Sequence, residues 1–206
     1  MLKLFAMTLL VSLSCIFSVG QSNAEFFAGY SLLRTNYDVE LPNPPTPVIV
    51  AFDGDQTMHG VNVSATGYLR SGFGITGDFS WHLKKLSTPD PGGGTIDTNI
   101  QVYNMLGGVQ YKFGRNRRVA PFVRVLAGVA HTRSKLTVTS LSVSDTSSST
   151  DFAMALGGGL DIKVNDRIAV RAIQADYNPI FLRNNNELGF NKRADNFRVS
   201  FGIVFR

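Results

Sequence analysis

Cysteine is all but missing from this chain of 206 residues: Cys15 is the only one. It lies in an apolar N-terminal stretch, so a chain cut after Ala24 carries no thiol at all. Disulfides, cysteine metal sites and cysteine nucleophiles are thereby excluded. Past residue 24 no apolar run reaches the roughly 20 residues of a spanning helix, which excludes a helical membrane protein. Charge is sparse too. Removing residues 1–24 takes away Lys3 and leaves 19 basic against 15 acidic side chains, a formal charge of +4. That suits an anionic membrane surface but is too weak a field for nucleic acid. The three histidines, His59, His82 and His131, are not spaced at i+2 or i+4. No metal site and no cofactor are expected from them. Gly92-Gly93-Gly94 and Gly157-Gly158-Gly159 neither precede a helix nor carry a Lys-Ser/Thr pair, so they are not phosphate loops.

What is present begins with an export signal. Lys3 supplies a positive charge, Leu4 to Val19 is largely apolar, and Ser22 and Ala24 are small residues at −3 and −1 of a cut before Glu25. A spanning helix would need a longer run. A lipidated Cys15 would need a better flank than Ser12-Leu13-Ser14. Residues 1–24 are therefore expected to be cleaved, leaving a single domain over 25–206.

The last eleven residues carry the clearest pattern. Phe197, Val199, Phe201, Ile203 and Phe205 alternate with Asn196, Arg198, Ser200, Gly202 and Arg206, with Val204 the single lapse. A period of two over this length is a strand with one apolar and one polar side. Seven similar stretches precede it, at about 25–35, 60–70, 73–83, 98–113, 120–133, 150–164 and 167–178. Short turns join the second to the third at Ser71-Gly72, the fourth to the fifth at 114–118, and the sixth to the seventh at Asn165-Asp166. Long polar connections, 36–59, 84–97, 134–149 and 179–195, follow the odd-numbered strands. Pro42, Pro44, Pro45 and Pro47 keep the first of these out of any ladder. Eight strands with alternating short and long connections give an all-β fold, an eight-stranded antiparallel up-and-down transmembrane β-barrel, with all long loops at one end. In the seventh strand Arg171 and Asp176 differ in parity, so both face inward only if a bulge intervenes.

Three features direct the apolar face outward. The polar faces carry small residues, Gly74, Gly108, Gly157 and Gly159, that suit a crowded interior. They carry charges of both signs, Asp78, Lys112, Asp161, Lys163 and Arg198, with Arg124 as a further candidate. Such charges must pair across the lumen, because an unpaired buried ion costs several kcal/mol. Aromatics near strand ends on the apolar face, Phe73, Trp81, Tyr111, Phe113 and Phe205, match interfacial girdles. In hydrocarbon every backbone group needs a partner, so the eighth strand must pair with the first. A soluble lipocalin-like barrel around a small ligand is the opposite facing of the same pattern.

With these strands, the loop alternation and the terminal Phe197–Phe205 strand in view, the chain resembles the OmpA/OmpX-like family of small outer-membrane barrels over 25–206. The resemblance implies a bacterial outer-membrane location. It also implies that barrel-assembly machinery reads the terminal strand, which in such families ends in an aromatic; here Arg206 follows Phe205.

The expected role is structural or surface-interaction, through four external loops around a side-chain-filled lumen, in a monomer. The alternatives are a narrow low-conductance pore, a lipid-modifying enzyme and the soluble barrel. No nucleophile motif surrounds Ser80, and Ser80 and His82 stand about 7 Å apart along one strand, so no enzyme is expected. Arg34, Lys84, Lys85, Arg133, Lys135, Arg183, Lys192 and Arg193 fall toward the loop end. Lys84, Lys85 and Arg133 are the candidate contacts to phosphates of outer-membrane lipids such as lipopolysaccharide. The histidines are expected at the wet rim.

Overall fold

The computed structural model describes residues 23–36, 56–70, 72–89, 94–115, 117–138, 143–181 and 193–206. The expected signal up to residue 22, the bulk of the first long connection (37–55) and of the fourth (182–192) lie outside the described residues, as do Arg183 and Lys192. Nine strands are described: β1 Ala24–Asn36, β2 Gln56–Arg70, β3 Phe73–Pro89, β4 Thr95–Lys112, β5 Val119–Val138, β6 Val143–Lys163, β7 Ile168–Tyr177, β8 Ile180–Phe181 and β9 Arg193–Phe205. Every pairing is antiparallel, in the order β1-β2-β3-β4-β5-β6-β7-β9, and β1 pairs with β9 to close the ring. β8 continues β7 past a break at Asn178-Pro179, lying between the same neighbours, β6 and β9. The barrel therefore has eight strand positions.

Closure follows from the medium. A sheet edge in hydrocarbon would leave a row of unpaired N–H and C=O groups, each costing several kcal/mol. The β1–β9 seam removes that edge over eleven residue pairs, from Phe26↔Phe205 to Asn36↔Asp195. Facing follows from the same requirement. Trp81, Phe201 and Met105 are 37 %, 48 % and 57 % exposed, whereas Asp78, Asp161 and Arg198 are 4 %, 0 % and 0 % exposed. The soluble barrel with an apolar interior is thereby excluded.

Two aromatic belts mark the band. At the turn end Phe26 pairs with Phe205, Phe73 with Tyr111, and the Tyr111 and Phe113 rings meet edge-on at 4.8 Å. At the loop end Trp81 stacks on Tyr103 at 6.1 Å, and Phe152 packs on Phe181 at 5.8 Å. From Phe73 to Trp81 is roughly 27 Å of strand at about 3.4 Å per residue. Tilted by about 35–45°, that projects to roughly 19–22 Å, a little short of an outward apolar band of about 25 Å, the rest of which the aromatic rings at each end can span.

Two expectations change. The connections at 84–97 and 134–149 are mostly strand: β3 and β4 pair out to Pro89↔Thr95, and β5 and β6 out to Val138↔Val143. Apolar alternation reports only the lipid-facing part of a strand. Beyond it the outer face turns polar while the inner face is mixed, carrying Leu86, Ile100 and Leu136 among polar residues, so the signal fades while the ladder continues. The interior is also not polar throughout. Leu33, Met58, Val102, Leu106, Leu126, Ala130, Ala153, Ala155, Ile180 and Ala194 form a buried apolar cluster in its loop-end part.

The bulge required in β7 is present. The β6 register shifts between Leu160↔Ile173 and Asp161↔Arg171, and the β9 register between Arg171 and Gln174. Ala172 and Ile173 both face outward, so Arg171 and Asp176 both face the lumen.

Candidate functional site

Two places concentrate chemistry: the lumen and the sheet that extends beyond the loop-end aromatic belt.

In the middle of the lumen two aspartates and two arginines form a closed ring. Asp78 (β3) accepts from Arg124 Nη1 at 3.0 Å and Arg198 Nη1 at 2.9 Å. Asp176 (β7) accepts Arg124 Nε at 2.8 Å and Nη2 at 2.6 Å, and Arg198 Nη2 at 3.1 Å. Asn62 Nδ2 donates to Asp78 at 3.0 Å, Gln174 Nε2 to Asp176 at 3.0 Å, and Arg198 also reaches Ser80 Oγ at 2.9 Å. The bidentate fork of Arg124 on Asp176 is the strong form of this contact. Gly157 makes room for it: a Cβ there would collide with the Asp176 carboxylate and the Ala175 carbonyl.

Toward the turn end a second network crosses the barrel. Arg206 Nε lies 3.0 Å from Glu25 Oε1; Glu25 pairs with Lys112; Lys112 Nζ lies 2.6 Å from Asp161; Asp161 accepts Arg171 Nε at 2.8 Å. Arg171 is also sandwiched between the Phe27 and Phe122 rings at 4.4 and 4.2 Å, a desolvated cation–π arrangement. Gly159 leaves space for Phe122, whose Cζ would stand 2.8 Å from an added Cβ.

Of the charges expected in the lumen, Asp78, Lys112, Asp161 and Arg198 are there, and Arg124 joins them. Lys163 is not. It lies where β6 leaves the barrel, its side chain is 30 % exposed, and it bonds Asp166 of the adjacent turn at 2.6 Å. That hydrogen bond, and then the ammonium charge, hold the exposed Asp166 carboxyl below its usual range. Glu25, Arg171, Asp176 and Arg206 complete the networks and were not among the expected lumen charges. Strict parity hid Arg171 and Asp176, since one bulge reverses facing; Glu25 stands beside the expected cut, before any alternation is visible.

The histidines part company. His82 is fully buried, with Nε2 2.9 Å from Ser31 Oγ, which in turn lies 2.9 Å from Ser200 Oγ. It is not at the rim, and its partner is Ser31 rather than Ser80. His59 and His131 are exposed, bonded to Tyr30 and to Thr150 respectively.

Beyond the belt, β3 to β6 continue as a four-stranded sheet. On its outer face, past the Trp81–Tyr103–His131–Thr150 row, come Leu83–Gln101–Arg133–Ser148 and then Lys85–Asn99–Lys135–Thr146. Lys85, Arg133 and Lys135 are exposed. Among the described residues none of them is ion-paired with a carboxylate. Lys84 is on the opposite face: with even numbering it shares the inward parity of Asp78, and it donates to the Thr57 carbonyl at 3.1 Å.

The chain matches the family model of the outer membrane protein beta-barrel domain over residues 6–205. Among solved structures it is similar to Ail, the attachment invasion locus protein of Yersinia pestis, determined in complex with the heparin analogue sucrose octasulfate. The TM-score is 0.59 at 17 % identity, covering 90 % of this chain and 99 % of that one. It is also similar to Neisserial surface protein A, with a TM-score of 0.53 at 12 % identity over 88 % and 97 % of the two chains. At these identities the likeness is one of fold. No match was found among curated proteins. The family match covers nearly the whole chain and agrees with the outward apolar band, the two aromatic belts and the closed seam. This is a bacterial outer-membrane protein, and the chain belongs to the outer membrane protein β-barrel family.

Proposed function

We propose that this protein is a non-conducting, non-catalytic surface-interaction barrel, and that the outer face of its projecting sheet holds the phosphates of outer-membrane lipids. The observation that carries the reading is the patch of Lys85, Arg133 and Lys135, exposed and uncompensated among the described residues, one to two residue rows beyond Trp81 and Tyr103. Aromatic belts sit at the level of the lipid headgroups. Arg133 and Lys135 lie about 7 Å apart along β5, and Lys85 and Lys135 about 10 Å apart across two strand spacings. Gln101, Asn99, Ser148 and Thr146 supply hydrogen-bonding groups between them. A phosphate bridging two such cations gains charge-assisted hydrogen bonds. Ail, the relative of similar fold, was solved with a polyanion, which is consistent with an anionic ligand on this architecture.

Near an anionic lipid surface each cation is worth on the order of 1 kcal/mol. Lys85→Gln, Arg133→Gln and Lys135→Gln together should therefore lower the lipopolysaccharide retained through detergent purification by more than tenfold. Heat-modifiable gel mobility, the sign of a folded barrel, should persist. Retention equal to wild type would dispose of the lipid reading.

Closure of the lumen is supported by three packed layers in series: the turn-end network, the central ring and the apolar cluster. Asp78, Lys112, Asp161 and Arg198 act in it as structural groups. A non-catalytic reading is supported by Ser31 and His82 having no exposure, out of reach of a substrate. Residues 1–24 serve as the cleaved export signal, and the barrel inserts as a monomer. Reading by the barrel-assembly machinery is supported by the parity of β9. Phe205 stays outward at 48 % exposure, and Arg206 turns in toward Glu25 instead of masking it.

A further inference from the structure

The short-turn end of the barrel carries a second basic patch, remote from the loop-end cations. Arg115, Arg117 and Arg118 lie in the β4–β5 turn, and Lys163 and Arg167 flank the β6–β7 turn. The ladder brings the two turns together. Lys163 N–H donates to the Arg118 carbonyl at 2.8 Å, and Val119 stands opposite Ile162. Arg118 and Arg167 are thus about two strand spacings apart, roughly 10 Å. Arg117 is partly preset. Its stem folds across Gly114, where an added Cβ would stand 2.7 Å from Arg117 Cδ and where φ is +58°.

Negative groups are scarce at this end. Residues 1–24 and the three short turns contain one carboxylate side chain, Asp166, and Lys163 already holds it at 2.6 Å. Arg206 adds its terminal carboxylate beside Arg167, to whose carbonyl its N–H donates at 2.9 Å. Glu25 and Asp161 face the lumen and are held there by Lys112, Arg171 and Arg206. Arg117, Arg118 and Arg167 are exposed, and among the described residues none is ion-paired with a carboxylate side chain.

The wall beside the patch differs from the rest of the turn-end belt. Aromatics run through Tyr111 and Phe113 on β4 and resume at Phe205 on β9. Between them β5, β6 and β7 turn Val119, Pro121, Ile162, Val164 and Val170 outward, all aliphatic. Arg117 and Arg118 lie one or two residues past the end of this strip, about 3–7 Å, at the depth of the headgroups. Arginine stems reach such a level while their charge stays in water.

We propose that the patch holds the phosphate of an anionic glycerophospholipid in the periplasmic leaflet, with the acyl chains along the aliphatic strip. The short turns of such barrels face the periplasm. Guanidinium forks match phosphate oxygens two at a time. A zwitterionic headgroup brings a cation of its own, which the uncompensated arginines repel, so the site selects a net negative charge. Lipopolysaccharide at the loop end occupies the opposite leaflet, so the two readings stand or fall separately.

The test uses the full-length protein in phosphatidylcholine nanodiscs, with phosphatidylglycerol added in steps. Amide NMR follows residues 117–119 and 163–168. The expected result is a saturable shift at these amides. Arg117→Gln, Arg118→Gln and Arg167→Gln together should weaken the apparent affinity by at least about tenfold. Heat-modifiable mobility and lipopolysaccharide retention should stay at wild-type level. No shift would overturn the proposal, as would an equal response in the triple variant. Equal shifts with phosphatidylethanolamine would show that charge is not selected and would overturn it too. Equal shifts with glycerol 3-phosphate over pure phosphatidylcholine would assign the site to a soluble phosphate and likewise count against the lipid. The comparison of the two lipids on the wild-type protein decides the matter even where the triple variant fails to fold.

Discussion

Asp176 is the residue on which the lumen turns. It accepts from both central guanidiniums and from Gln174, while Asp78 alone remains to balance the two arginines if it is lost. Removing one partner from a buried ion pair costs about 3–5 kcal/mol, because the other charge is left unpaired. Asp176→Ala should lower stability by that amount, read as the shift in urea unfolding of the vesicle-inserted protein. Asp176→Asn, which keeps part of the hydrogen bonding, should fall between it and wild type; Asp176→Ala unfolding with wild type would show that the ring contributes nothing. At the turn, Asp166 tests a weaker pairing. Its carboxyl is held low by Lys163, so it should stay ionised to lower pH than an unpaired aspartate. Lys163→Met should return its midpoint upward, and carboxyl-resolved NMR titration reads both.

At the level of elements, the behaviour of β5 separates strand from loop. Ser134–Thr137 is flanked by β4 on one side and β6 on the other, well past the aromatic belt. Backbone hydrogen bonds on both sides should make its amides exchange at least tenfold more slowly than those of an unpaired loop. NMR-detected exchange in nanodiscs decides this; loop-like rates would remove the rigid sheet and with it the fixed spacing of Arg133 and Lys135. The β7 bulge shows how one element sets another's chemistry. Without the extra residue at Ala172-Ile173, either Arg171 or Asp176 would face lipid, and one of the two lumen networks would lose a member.

For the whole molecule, the three interior layers act in series. Clearing the central ring alone, by replacing Asp78, Arg124, Asp176 and Arg198 with alanine, would leave the turn-end network and the apolar cluster in place. An eight-stranded lumen is just wide enough to be filled by side chains. Planar-bilayer recording should therefore find no steady conductance for wild type, and none for this quadruple variant if it inserts. A steady open channel in wild type would refute the plugged interior.

Strand number, pairing partners, membrane class and the facing of all but the first and seventh strands were legible in the residues themselves. The lipid-embedded part of each strand must alternate, and Phe73–Trp81 and Phe197–Phe205 do so without ambiguity. Asp78, Lys112, Asp161 and Arg198 were legible as interior for the same reason: a charge on the polar side of such a strand has nowhere else to go. What only the tertiary structure decided was who meets whom. The union of Glu25, Lys112, Asp161, Arg171 and Arg206 needs five strands brought round one axis, and no local period encodes that. Lys84 keeps the inward parity of Asp78 and so faces away from lipid, and Lys163 keeps the parity of Asp161 but sits at the strand end, where a long side chain reaches the turn and solvent instead of the lumen. The projecting sheet was hidden because water, unlike lipid, imposes no alternation on the faces it bathes.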